Sequence, residues 1–399
     1  MTTDRAAQPP PRKDPAPAVF LELFFDLVYV FALLQVAHRL LEDLTSERRI
    51  VLGEGTQTLL VLAALWLVWT YSAWTTSTFD PQRPLVQAII VATMLGSLAM
   101  AVAVPDALGG RALLFAGAYV AIQLGRPLIF VLVLRGQENR DFARRILFWF
   151  GVSSVPWITG ALQPEESTRT ALWAGAIAID YTVARLGWPT PRLGRTSTVE
   201  WTISGEHLGE RYRQLFLIAL GELILETGIE FSGEAYDADR AATFLVSFLT
   251  TVLLWRIYFF RAGELLATAI AAAPDPARLA RSAAYAHFFM LAGTVATAVG
   301  YRLVIAHPFG PTDPAWIGVI LGGPALFLLG RGGFEYAVFA RVSRSRLIGA
   351  LVLAILSPAM ILLPPLMVAV TASLVLLGIA VTDAARARHR PPEWPSPPR

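Results

Sequence analysis

Apolar runs of about 17–23 residues recur along the chain, separated by short stretches that hold most of its charged residues. A helix rises 1.5 Å per residue, so each run is the length needed to cross ~30 Å of hydrocarbon. Twelve spans are predicted, at 19–40, 57–76, 85–104, 112–134, 144–162, 170–187, 213–231, 241–260, 283–303, 315–334, 346–362 and 365–382. Only Leu363–Pro365 separates the last two, and a single re-entrant hairpin over 346–382 is the alternative. Residues 1–18 are rich in Pro, Ala and charge and lack the apolar core of a signal peptide, so they read as a disordered cytoplasmic tail. The Arg- and Pro-rich stretch 384–399 reads as a second such tail. The predicted fold class is all-α, a polytopic transmembrane helix bundle.

Basic residues set the orientation. With the N-terminus inside, about 23 Lys and Arg fall in inside segments and about 7 in outside loops. Both termini are then cytoplasmic, as is the longest loop, 188–212. The two halves also match at an offset of about 190–205 residues. Leu23-Phe24 falls on Leu215-Phe216, Leu65-Trp66 on Leu254-Trp255, and Met94-Leu95 on Met290-Leu291. Gly125-Arg126 falls on Gly330-Arg331, and Pro156 on Pro358. The order is constant, which predicts a 6+6 duplication: a first repeat over 19–187, a linker over 188–212, and a second repeat over 213–383. Six spans per half is even, so the repeat is parallel, about an axis along the membrane normal.

Composition narrows the class. Of 399 residues, 55% are hydrophobic and 16% charged, where a soluble domain has about a quarter charged. Disorder, collagen, coiled coil and an ordinary cytoplasmic enzyme are excluded. The absence of cysteine removes disulfides, thiolate metal sites and Cys nucleophiles. A net charge of +3 leaves no nucleic-acid footprint. There is no phosphate-binding Gly loop, no His-Glu-x-x-His and no Gly-x-Ser-x-Gly, so no cofactor or metal is expected.

The informative residues are charges inside the spans, where each costs at least ~2.5–3.5 kcal/mol by insertion scales. Glu22 and Asp26 are four apart on one face of span 1, with Tyr29 beside them. Glu222 and Glu226 repeat that spacing in span 7. Spans 4 and 10 carry Arg126 and Arg331, about 12–15 Å from the cytoplasmic side and matched in depth to the carboxylates. Two ion pairs are expected, Asp26 with Arg126 and Glu222 with Arg331, either as structural staples or as a site that exchanges protons or binds a cation. Glu226, Glu230 and Arg39, near the outer ends, read as solvated. The loop before span 7 holds His207, Glu210 and Arg211, and span 9 opens on His287; together they form an expected cytoplasmic vestibule. Its histidines suit structure or proton relay better than metal binding.

These residues also carry a resemblance. Glu22-Leu23-Phe24-Phe25-Asp26-Leu27-Val28-Tyr29-Val30-Phe31-Ala32 resembles the opening signature of the bacterial low-temperature-requirement A (LtrA) family. His207-Leu208-Gly209-Glu210-Arg211, then Leu215-Phe216 and Leu220-Gly221-Glu222, is similar to its second block. Phe79-Asp80, Trp255 with Tyr258-Phe259, and Tyr285-Ala286-His287 also fit, while Arg256 and Ser77 depart from the pattern. The resemblance implies a polytopic bacterial membrane protein tied to growth at low temperature, and it implies little chemistry. The residues themselves point to an inner-membrane transporter or channel for a small solute or ion, coupled to protons, with membrane lipid as its other partner. Two alternatives stay open. One is a membrane enzyme acting on lipid or an isoprenoid carrier through His207, Glu210, Arg211 and His287. The other is a non-catalytic sensor or scaffold.

Overall fold

The computed structural model describes residues 20–45, 51–133, 137–195, 204–232, 238–260, 262–389 and 394–398, and these are helical with no strand among them. The first half holds α1 (Phe20–Thr45), α2 (Val51–Thr78), α3 (Pro84–Ala103), α4 (Ala112–Val133), α5 (Gln137–Ala161) and α6 (Glu166–Arg185). The second holds α7 (Gly205–Ser232), α8 (Ala238–Phe259), α9 (Ala262–Ala272), α10 (Pro276–Ala306), α11 (Pro314–Ile320), α12 (Gly322–Phe339), α13 (Arg344–Met360) and α14 (Pro365–His389). Eight segments are long and apolar enough to cross a membrane: α1, α2, α3, α4, α8, α10, α14, and α11 with α12 as one unit. The predicted spans 5, 6, 7 and 11 coincide with α5, α6, α7 and α13, which are more polar or shorter.

The burial pattern is inverted relative to a water-soluble bundle. On α1 the outward face is Phe20, Leu23, Phe24 and Leu27, at helical spacing. The inward face is Glu22, Phe25, Asp26 and Tyr29. α7 likewise turns Leu217, Ile224 and Leu225 outward and His207, Arg211, Glu222 and Glu226 inward. Outward hydrocarbon with inward charge is what a lipid solvent selects. Two helices form the centre. The apolar window of α2 is 94% buried and that of α10 83%, against 39–44% for α1, α3, α4, α8 and α14. A helix apolar all round belongs in such a core.

Helix contacts run in two similar sets. α1 packs on α2 and α3, α3 on α4, α4 on α5, α5 on α6, and α6 returns to α2. In the second half α7 packs on α8 and α10, α10 on α12, α12 on α13, α13 on α14, and α14 returns to α8. The halves meet where α1 lies against α7 and α10.

Several boundaries differ from the sequence reading. α7 begins at Gly205, so His207, Glu210 and Arg211 belong to a helix and not to a loop. α9 was not expected; at 11 residues it is too short to span, and it buries Leu266, Ala269 and Ile270, with Ile270 seated beside Gly205 of α7. Span 10 is interrupted at Leu321, because Pro324 has no N–H for the Ile320 carbonyl. α14 continues to His389, beyond the predicted start of the tail, and the Ser396 amide donates to the Val338 carbonyl at 3.0 Å. The 1–18 tail lies outside the described residues.

Candidate functional site

α1, α2 and α7 meet in a polar cluster at the start of α1. Asp26 and Arg211 form a two-pronged pair, Nη2 to Oδ1 at 2.7 Å and Nη1 to Oδ2 at 2.8 Å. Trp69 Nε1 of α2 donates to Oδ1 at 2.9 Å, and the Arg211 guanidinium lies 5.6 Å from the Trp69 ring centroid. One turn earlier, Glu22 Oε2 meets His207 Nε2 at 3.0 Å, and its Oε1 is 3.6 Å from Arg211 Nε. His207 Nδ1 contacts Ser77 Oγ of α2 at 3.0 Å. The spacing dictates this arrangement. Glu22 and Asp26 are i and i+4 on α1, His207 and Arg211 are i and i+4 on α7, and two packed helices match these pairs rung by rung. All four residues are buried.

The pairing therefore differs from expectation: Asp26 meets Arg211, not Arg126. The reason is the early start of α7, which carries Arg211 into the bundle beside α1. Glu222 does not meet Arg331. It is fully buried, and neither carboxylate oxygen has a hydrogen-bond partner among the described residues. Its depth differs too, because Glu222 lies 11 residues beyond Arg211 on α7, about 16 Å along the axis. One turn further, Glu226 is also buried and not solvated; it pairs with Arg302 Nη1 of α10 at 2.9 Å. Arg302 Nε holds Glu230 at 3.0 Å, and His38 Nε2 approaches Glu226 at 4.0 Å. Arg39, also read as solvated, is buried; Nη1 donates to the Val104 and Pro105 carbonyls beyond the end of α3. One face of α7 thus carries the cluster on Asp26, an apolar stretch, a bare carboxyl and the cluster on Arg302.

Arg126 and Arg331 are buried and sit apart from these carboxylates. Arg331 donates from Nε to the Ile257 carbonyl at 3.0 Å and from Nη2 to the Phe260 carbonyl at 2.6 Å, at the C-terminal end of α8. Arg126 Nε and Nη2 have no hydrogen-bond partner among the described residues, and its guanidinium lies 5.9 Å from the Tyr71 ring centroid. The expected vestibule does not form one group. His207 and Arg211 serve the α1 carboxylates. Glu210 turns to Arg213 at 2.6 Å and to Gln214. His287 is enclosed by Tyr212, Tyr258 and Phe334. Its Nδ1 is 2.7 Å from the Ala283 carbonyl, which can only accept, so the ring proton sits on Nδ1 and Nε2 accepts from Tyr258 Oη at 2.9 Å.

The blocks that build this cluster match a family along almost the whole chain. The family model described as Bacterial low temperature requirement A protein (LtrA) matches residues 18–381. The chain belongs to the LtrA family. It is 35% identical over 320 residues to the uncharacterized protein RA0937 of Rhizobium meliloti (strain 1021), covering 79% of this chain and 76% of that protein. No solved structure matches.

In this LtrA chain Glu22 and Asp26 of α1 and His207 and Arg211 of α7 are the two faces of one cluster. Ser77 of α2 supplies the hydroxyl on His207. Sequence reading missed three participants. Asp180 of α6, buried, accepts from Tyr119 Oη at 2.7 Å; its signal was a lone carboxylate inside an apolar run. Trp69 was one of many aromatics in span 2, with no signal of its own. Arg302 sat at the end of span 9, where snorkelling to solvent is the ordinary expectation.

Proposed function

We propose that this LtrA protein is an inner-membrane transporter or channel that moves a small solute or ion together with protons, and that Glu222 is the proton-carrying group. One observation carries the reading: Glu222 is a fully buried carboxyl with no partner on either oxygen. A structural staple has a partner, as Asp26 does in Arg211. A carboxyl without one, deep in a bundle, marks an ion or proton path. Glu226, Arg302 and Glu230 lie on its outer side and are exposed enough at Arg302 and Glu230 to meet water. The inner cluster on Asp26 and Arg211 lies some three turns away across Leu215 and Ala219, an apolar barrier suited to alternating access.

Twelve spans in a 6+6 parallel repeat, with both termini cytoplasmic, belong to this reading. The matching sets of helix neighbours support the repeat: α1 with α2 and α3, and α7 with α8 and α10. So does the return of the sixth span to the second in each half. The family name supports a link to growth at low temperature. The enzyme alternative has less support, because His207, Glu210 and His287 stand in three separate settings. The test is proton flux in liposomes holding the full chain, across a panel of cations, anions and neutral solutes. The reading expects a solute-dependent proton flux; none with any solute in the panel contradicts it.

A further inference from the structure

Arg126 and Arg331 occupy matching places in the two halves, each after a Gly in the fourth span of its half. Their surroundings differ. Arg331 spends its side-on fork, Nε and Nη2, on two main-chain carbonyls. On Arg126 the same two nitrogens are buried and have no partner among the described residues. A guanidinium fork is shaped for two coplanar oxygens, and leaving it bare in hydrocarbon is costly. The nearby carboxylate, Asp180, accepts from Tyr119 through Oδ2, leaves Oδ1 without a partner among the described residues, and forms no ion pair with Arg126. The neighbourhood supplies a further unpartnered group able to donate to an anion, the Thr70 hydroxyl, next to Tyr71. A cleft reaches Tyr71, walled by Trp66, Thr70, Tyr181 and Tyr285, and the one charged residue along it is Arg281.

We propose that Arg126 binds a small planar monovalent oxyanion, such as a short carboxylate, nitrate or bicarbonate. The cleft past Arg281 and Tyr71 is its route; its aromatic walls, with Arg281 and no carboxylate among its lining residues, favour a weakly hydrated anion over a cation. Depth speaks against a lipid phosphate, because Arg126 lies seven residues before Val133, where α4 ends, about 10 Å along the helix. Binding at Arg126 requires no proton movement, so it is measured independently of flux through Glu222.

The experiment is equilibrium binding of radiolabelled acetate to the purified full-length protein in detergent, with nitrate, bicarbonate and the bulky gluconate as competitors at constant ionic strength. Saturable binding is expected, displaced by nitrate and bicarbonate and not by gluconate. Arg126→Gln should abolish it. Arg126→Lys keeps the charge and loses the fork, and should bind at least about tenfold more weakly. Arg281→Gln, at the mouth, should slow association and keep a saturable site. The absence of saturable binding in the wild-type protein would overturn the proposal, even if Arg126→Gln failed to fold. So would wild-type affinity in folded Arg126→Lys, or displacement by phosphatidylglycerol alone.

Discussion

At the scale of single residues, two buried carboxylates of similar appearance in the sequence have opposite surroundings. Asp26 receives three donors, two from Arg211 and one from Trp69. Removing one member of such a pair strands a charge and costs about 3–5 kcal/mol, while neutralising both costs much less. Arg211→Ala should therefore lower stability in detergent by about that amount, and Asp26→Asn with Arg211→Gln by less, as read from denaturant unfolding. Equal losses would mean that the pair adds no coupling. The in-span charges were legible because polar residues in apolar runs stand out. Their partners were not, because the partner of Asp26 depends on where α7 starts. Arg211 lies among Arg213, Glu210 and Glu206, a polarity that resembles a loop until α1 is placed beside it. Asp180 shows the converse: a signal of the same kind as Asp26, in a run where it lacked a second charge four residues away.

At the scale of elements, α10 and α12 approach each other closely through glycines. A Cβ on Gly293 would lie 2.5 Å from the Phe327 amide nitrogen and 2.7 Å from the Gly323 carbonyl oxygen. One on Gly330 would lie 2.7 Å from the Met290 nitrogen. Small residues bring helix backbones together where lipid gives no hydrophobic drive for association. Gly293→Ala should lower the unfolding midpoint, by about 1–3 kcal/mol of overpacking, because backbone atoms cannot give way. Gly221→Ala on α7 meets nothing within 4 Å and should leave stability unchanged or raise it by about 0.5–1 kcal/mol. The reverse ranking would contradict the packing. Helix positions were legible from run length. The break at Leu321 was not, although Gly322, Gly323 and Pro324 signal it, because hydropathy continues through them. α9 was hidden because its 11 residues, Glu264 among them, are too few to read as a span.

At the scale of the whole molecule, the account depends on sidedness and on one proton-carrying group. The chain has no cysteine, so single cysteines can be labelled without background. Glu166→Cys, at the start of α6, should react with an impermeant maleimide from outside the cell. Arg83→Cys and Arg195→Cys should react only after permeabilisation. The opposite pattern would invert the bundle, and one mismatched site would change the span count. The most direct measurement of the central claim is proton flux in liposomes with wild type, Glu222→Gln and Arg302→Gln side by side, each at matched folded protein. The account predicts that Glu222→Gln folds normally, since no partner is stranded, and loses solute-dependent proton flux at every pH. Arg302→Gln, outside the proton-carrying group, should retain flux with an altered pH profile. Wild-type flux in Glu222→Gln would contradict the account and leave the carboxyl without a role in transport.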